Sequence, residues 1–146
     1  MLAALNAISA AQANATTTTL GDIVWILNYV ATHPDATLHY HARNMILHVA
    51  SDASYICEER ERSQSGGHFP LANRLVKNGD KPPTLPTNNG AIHTMCQIIK
   101  TVMSLSAEAE IGANFINAKD TLPICTTIKK LGHPQSHTLM QVDNTT

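Results

Sequence analysis

The sequence predicts an α/β (α+β) domain, a mixed sheet with flanking helices. Residues 37–97 contain runs in which apolar and polar residues alternate with a period of two, which is typical of strands. Residues 104–131 instead repeat their apolar positions at helical spacing, and a short strand-like segment, residues 139–143, follows. The predicted order is therefore one helix, four strands, two helices and one strand.

The composition narrows the class of protein. The chain has 146 residues, of which 43% are hydrophobic and 14% charged, so it is not a charge-rich disordered segment. Its net charge of −1 gives no basic surplus, so nucleic-acid binding would depend on a few placed residues or on a larger polypeptide. The longest apolar run, residues 23–31, is too short to span a membrane. Three separated cysteines without a C-x-x-C pair indicate a reducing, intracellular compartment, the cytoplasm or the nucleus.

The first half of the chain is predicted to contain a helix and then a hairpin. Residues 1–19 are expected to be a loose lead-in, and Thr19-x-x-Asp22 is a capping-box-like start for a helix that ends at His33-Pro34. Residues 37–43 and 45–52 are predicted to be two paired strands separated by Asn44. The charged and glycine-containing stretch that follows, residues 56–67, is expected to be an exposed loop.

The second half is predicted to add two strands before the helical part. Residues 68–76 form the third predicted strand, in which Pro70 requires an edge position or a bulge. A proline-containing loop, residues 77–90, leads to the fourth strand at residues 91–97.

The helical part is predicted to begin at a serine cap, Ser104 or Ser106. Pro123 is expected to end this helix or to begin another, and Gly132 to end the last turn. The predicted buried stripe of the helix is Ile111, Phe115, Ala118 and Leu122.

Three carboxylates stand where local structure does not require them. Asp52 and Asp143 each come at the end of an apolar strand, and Glu110 lies in the first turns of the helix, beside Glu108. Carboxylate oxygens are ligands that suit Mg²⁺. The alternative is that the aspartates begin turns and the glutamates favour the helix dipole.

Histidines offer a second, weaker metal hypothesis. His39 and His41 share one predicted strand face, and His48 follows in the next strand, as a zinc site could require. However, no cysteine or further histidine stands at ligand spacing, so we favour the carboxylates.

Five short motifs follow one another along the chain: SDASY (51–55), GGHF (66–69), NGAIHT (89–94), SAEAEIGANFINA (106–118) and DNTT (143–146). In this order they resemble the C-terminal ribonuclease H domain of copia-type retrotransposon polyproteins. The resemblance covers nearly the whole chain and implies a ribonuclease H-like fold, in which three antiparallel strands are followed by parallel crossover strands. It also implies that residues 1–35 are the end of the reverse transcriptase region and its connection, and that residues 36–146 are a partial ribonuclease H-like domain.

The resemblance also implies a function and a site. Asp52, Glu110 and Asp143 match the first three catalytic carboxylates, with Glu108 as a substitute for Glu110. They would hold two Mg²⁺ ions, for which Mn²⁺ could substitute, and hydrolyse the RNA strand of an RNA–DNA hybrid. The implied partners are that hybrid and a reverse transcriptase domain in the same polyprotein, with no membrane.

One departure from the family shapes the expected activity. The chain ends directly after the third carboxylate, so the domain is expected to be C-terminally incomplete and to lack the family's fourth aspartate. We therefore expect the 146-residue chain to be inactive alone. The alternative hypothesis is a non-catalytic retroelement remnant or interaction module that keeps the fold.

Overall fold

The computed structural model describes residues 1–58, 61–74 and 90–142. The chain divides into two compact units, residues 1–38 and residues 39–146. Within the described ranges, no helix has both the length and the apolar character needed to cross a bilayer.

The first unit is helical. It contains α1 (Leu2–Ala10), a short 3₁₀ helix (Gln12–Asn14) and α2 (Thr17–Thr32). The end of α2 at His33 is confirmed, but residues 1–19 are not the loose lead-in that we predicted. The true N-cap is Thr16, which forms a reciprocal capping box with Thr19, so α2 begins before the predicted cap.

The second unit contains a four-stranded mixed sheet. Its strands are β1 (Ile46–Glu58), β2 (Arg62–Ala72), β3 (Ala91–Ile98) and β4 (Leu139–Val142), in the spatial order β3-β2-β1-β4. β2 is antiparallel to both β1 and β3, whereas β4 is parallel to β1. The connection between β3 and β4 contains α3 (Ser106–Lys130), which packs on β1 and β2. The predicted fold class, a mixed sheet flanked by helices, is confirmed.

The predicted hairpin between residues 37–43 and 45–52 is wrong. Residues 37–45 contain no strand, and most of them are exposed, so their alternating pattern has no buried face to stabilise it. A hydrogen bond links this segment to β3, because the Tyr40 hydroxyl donates to the carbonyl oxygen of Ala91 at 2.9 Å. The partner of β1 is instead β2, and this hairpin takes in much of the stretch 56–67 that we predicted to be a loop.

β2 is a central strand that accommodates a proline. Its pairing with β3 shifts register between Phe69 and Pro70, so Pro70 lies at a bulge, which is one of its two predicted settings. The predicted end of this strand at residue 76 and most of the predicted loop, residues 77–90, lie outside the described residues. The fourth predicted strand is confirmed as β3.

The start of α3 differs from the prediction. Its N-cap is Leu105, and neither Ser104 nor Ser106 caps it through a side chain. The carboxylate of Glu108 instead accepts a hydrogen bond from the backbone N–H of Ser104 at 2.7 Å. An N–H group near the helix start is thereby satisfied by an acidic side chain, which also suits the helix dipole.

The buried face of α3 is not the predicted one. Ile111, Phe115 and Leu122 are 69%, 66% and 71% exposed, respectively. The face of α3 that packs on the sheet instead carries mainly small residues. Small side chains allow a helix to approach a sheet closely, which explains why this face is buried and the most apolar face is not. The residues of α3 that are buried are Ala109, Ala113, Asn117, Thr121 and Ile128.

Pro123 does not break α3, contrary to the prediction. The helix runs through it to Lys130, and Gly132, the predicted stop, follows two residues later with φ 92°. Beyond Pro123, Ile128 is buried in the core and Ile124 packs against it, so tertiary packing offsets the missing hydrogen bond. The core beneath α3 consists of Leu47, Val49, Phe69, Leu71 and Ile128.

His48 is a buried titratable residue whose effect on stability can be measured. It is 1% exposed, and neither ring nitrogen has a hydrogen-bond partner among the described residues. Burial lowers the pKa of His48 below its usual 6.5, so the folded state favours the neutral imidazole. Below pH 6.5 the unfolded chain therefore binds the extra proton more readily, and stability falls as the pH decreases.

We expect the His48→Phe variant to lose part of this pH dependence. Between pH 7 and pH 5 its free energy of unfolding should fall less steeply than that of the wild type, by at most about 1.4 kcal/mol per pH unit. Urea unfolding at several pH values measures the slope. His68→Phe, at an exposed position of β2, is the control and should retain the wild-type slope. Equal slopes in all three proteins would contradict the prediction.

Candidate active site

Asp52 lies within β1, in the stretch paired with β2. Its Cα partner on β2 is Gly66, and its side chain is exposed. One carboxylate oxygen, Oδ1, accepts from the backbone N–H of Ala53 at 2.9 Å. The carboxylate is therefore accessible to a ligand from solvent.

The described part of the β1–β4 ladder extends to the position before Asp52. Its last described pair is Ser51 with Val142. In the sequence, Asp52 follows Ser51 and Asp143 follows Val142. Asp143 itself, the third predicted site residue, lies outside the described residues.

Glu110 and Glu108 have different settings on α3. The Glu108 carboxylate is engaged at the helix start, as described above, and this side chain is exposed. Glu110 is half-buried and lies between Ala109 and Ala113, both of which are fully buried against the sheet. This difference favours Glu110 over Glu108 as the site residue, since helix capping already accounts for Glu108.

Two contacts between β1 and α3 bracket Asp52 and Glu110 along the chain. At the start of α3, the Tyr55 hydroxyl of β1 donates to the carbonyl of Ser104 at 2.8 Å. Further along the helix, Asn117 donates to the hydroxyl of Ser51 at 2.7 Å. Along this interface, residue numbers in α3 therefore increase as residue numbers in β1 decrease. Asp52 lies between the two contacts on β1, and Glu110 lies between them on α3.

Asn117 is the central polar residue beneath this site. Its side chain is fully buried, and its Nδ2 donates to Ser51 Oγ and, at 2.9 Å, to the carbonyl oxygen of Gly66. Asn117 therefore belongs to the buried face of α3 and not to the face that carries Ile111 and Phe115. The four-residue spacing of Ala109, Ala113 and Asn117 could have revealed this face, because small residues permit close packing.

Gly67 receives the tip of Asn117. A Cβ atom at Gly67 would lie 2.8 Å from both Met95 Cγ and Phe69 Cε2, and would also collide with Asn117 Oδ1. The neighbouring Gly66 is open by comparison, since a Cβ there would meet only the Asp52 carbonyl oxygen, at 3.9 Å. The two consecutive glycines therefore have different roles, and Gly67 is the one that the helix contact requires.

The histidine hypothesis finds little support in the geometry. His39 and His41 lie in a segment without strand structure, and His48 is buried. Among residues 1–58, 61–74 and 90–142, no group of three or more His, Cys, Asp or Glu side chains is placed to hold a metal ion. This statement does not cover a set that includes Asp143.

A separate apolar cavity of about 660 Å³ lies beside the second half of α3. At its lining, His93 Nε2 is 3.6 Å from Asp120 Oδ2, and both side chains are more than 40% exposed. The His93 ring also packs against Phe69, with ring centroids 4.9 Å apart. The other lining residues are mainly apolar and include Leu71, Ile92, Ile124 and Leu131.

Comparison with known proteins adds no relative to this description. No family model, no curated protein and no solved structure matches the chain. The function is therefore argued from the described residues and their geometry.

Proposed function

We propose that the chain belongs to the reverse transcriptase/ribonuclease H polyprotein of a copia-type retrotransposon, whose complete form hydrolyses the RNA strand of RNA–DNA hybrids. The observation that carries the proposal is the placement of Asp52 and Glu110 between the same two contacts of β1 and α3. The strand order β3-β2-β1-β4, with a single parallel pair, agrees with the fold that the sequence resemblance implies.

The residues present suit a divalent cation. Asp52 offers an exposed carboxylate, and Asp143 follows the strand directly beside it. Glu110 would add a third carboxylate from α3. Oxygen ligands of this kind are typical of Mg²⁺ sites completed by water and substrate phosphate. When bound, Mg²⁺ ions supply charge stabilisation and activate water for phosphodiester hydrolysis, and Mn²⁺ could substitute.

This chain's own contribution is to place the carboxylates. β1 presents Asp52 next to the last described pair of the β4 ladder, and α3 carries Glu110 between its two contacts with β1. Hybrid binding would depend on shape and on the 2′-hydroxyl groups of the RNA strand. Because the net charge of the chain is −1, most of the electrostatic attraction would come from a reverse transcriptase domain in the same polyprotein.

The second candidate function is an interaction module that keeps the fold without catalysis. It is favoured by the outer face of α3, on which Ile111, Phe115 and Leu122 are largely exposed. Exposed apolar groups of this size often mark a surface that another polypeptide covers.

A metal titration separates the two candidates. We expect Mn²⁺ to broaden the amide NMR signals around Asp52 and Glu110. Asp52→Asn should weaken Mn²⁺ binding by roughly one order of magnitude or more, because a direct ligand is lost. The measurement is a series of ¹H–¹⁵N spectra of the 146-residue chain with increasing Mn²⁺.

Glu108→Gln is the matched control for this titration. It removes one negative charge near the site, but its amide oxygen can still accept the hydrogen bond from Ser104. Mn²⁺ affinity should therefore stay near the wild-type value. A folded wild-type protein whose signals remain unchanged at millimolar Mn²⁺ would contradict the catalytic proposal and leave the interaction module.

A further inference from the structure

Asn117 connects three elements at the point where the candidate site is built. Ser51, which accepts one of its hydrogen bonds, directly precedes Asp52 in β1. Gly66, which accepts the other, is the cross-strand partner of Asp52 in β2. One side chain of α3 therefore binds the Ser51 hydroxyl of β1 and the Gly66 carbonyl of β2, at the two positions that neighbour Asp52.

The chemistry of these partners fixes the orientation of the amide. The Gly66 carbonyl oxygen can only accept a hydrogen bond, so the NH₂ group of Asn117 must face it. The same NH₂ group also serves Ser51, so both of its donors are used at once. Hydrogen bonds are directional, so these two bonds determine the distance between α3 and the two strands as well as the fact that they touch.

Two small residues pack in the same interface of α3. Ala109 and Ala113 are fully buried, but methyl groups contribute non-directional packing. Glu110 and Asn117 are seven residues apart, which places them within about 20° on the same helix face and roughly 10 Å apart along the axis. The helix therefore links the position of Glu110 to that of Asn117.

We propose that Asn117 is a positioning residue that sets the spacing between Asp52 and Glu110 by tying α3 to β1 and β2 at Ser51 and Gly66. The expected effect on metal binding rests on the proposed function, but the two hydrogen bonds of Asn117 to Ser51 and Gly66 do not. Asn117 would not touch metal or substrate, and it would act through the two carboxylates.

The first test needs no metal. In the Asn117→Ala variant of the full chain, we expect amide hydrogen exchange at residues 50–53 and 65–67 to accelerate roughly tenfold or more, with smaller changes elsewhere in the sheet. Thr121→Val is the matched control, because Thr121 is one turn further on the buried face and its hydroxyl donates within the helix, to the carbonyl of Asn117. This control should not accelerate exchange around Asp52.

A second variant covers the case in which Asn117→Ala does not fold. Ser51→Ala removes one of the two acceptors and keeps the bond to Gly66. It should accelerate exchange of the same amides by a smaller factor. If exchange is unchanged in the folded variants, or if Thr121→Val accelerates the same amides equally, the positioning role is overturned.

The second test uses Mn²⁺ as the probe. In a protein whose wild type binds Mn²⁺ at Asp52 and Glu110, Asn117→Ala should weaken that binding roughly tenfold, as loss of a supporting residue commonly does, and Thr121→Val should not. Unchanged affinity in folded Asn117→Ala would overturn the spacing role. A wild type that binds no Mn²⁺ would overturn the proposed function, while hydrogen exchange would still decide whether Asn117 holds the helix to the hairpin.

Discussion

Replacing Gly67 with alanine should destabilise the protein by about 3 kcal/mol, whereas Gly66→Ala should change its stability by less than about 1 kcal/mol. The reason is steric. A methyl group at Gly67 would lie 2.8 Å from carbon atoms of Met95 and Phe69 and would displace the Asn117 amide, whereas the same group at Gly66 meets one backbone oxygen at 3.9 Å. The glycines are adjacent in one strand, so differences in strand propensity largely cancel between them.

Urea unfolding followed by circular dichroism measures both variants. The midpoint should fall clearly for Gly67→Ala and stay near that of the wild type for Gly66→Ala. Flexible Met95 could move aside, but Phe69 is fully buried in the core and Asn117 is held by two hydrogen bonds. Equal stability of the two variants would mean that α3 does not approach the hairpin as closely as described.

Replacing Asn117 with aspartate should have a still larger effect, a loss of about 4 kcal/mol at neutral pH. The two side chains have nearly the same shape, but an ionised carboxylate has no N–H to donate to Ser51 or to the Gly66 carbonyl. It would instead place a buried negative charge beside a carbonyl oxygen. Desolvation and this contact should raise the pKa of the introduced aspartate above its unfolded value of about 3.9.

The sign of the pH dependence follows from that raised pKa. The protonated acid is neutral and can donate one hydrogen bond, so the penalty relative to wild type should be smallest below the unfolded pKa. It should then increase as the pH rises through the folded pKa. Asn117→Ala loses the same hydrogen bonds without adding a titratable group, so its penalty should not vary with pH. Unfolding measured from pH 4 to pH 8 would refute the interpretation if the two variants showed the same profile.

Elements with strong local signals were predictable from the sequence. The end of α2 at His33, the strand β3 and the left-handed Gly132 after α3 depend on residues within a few positions of each other. The predicted mixed sheet also agrees with the structure. In each case the pattern reflects backbone geometry and short-range hydrogen bonding, which a single sequence records directly.

The errors concern choices that depend on distant residues. Residues 37–43 alternate like a strand, but β1 pairs with β2, because that pairing gives β1 a partner with a buried face. Ile111, Phe115 and Leu122 form the more apolar stripe of α3, yet the smaller residues face the sheet. Pro123 is a helix breaker by local rules, and the packing of Ile124 and Ile128 overrides it.

The sequence by itself determined which residues are candidates for chemistry: Asp52, Asp143 and Glu110. The tertiary structure alone decided that Asp52 lies within β1 and that Tyr55 and Asn117 hold α3 alongside this strand. The burial of Asn117 also depends on the tertiary structure. Its role depends on Ser51 and Gly66, which are more than 50 residues away along the chain, and local periodicity carries no information about partners at that separation.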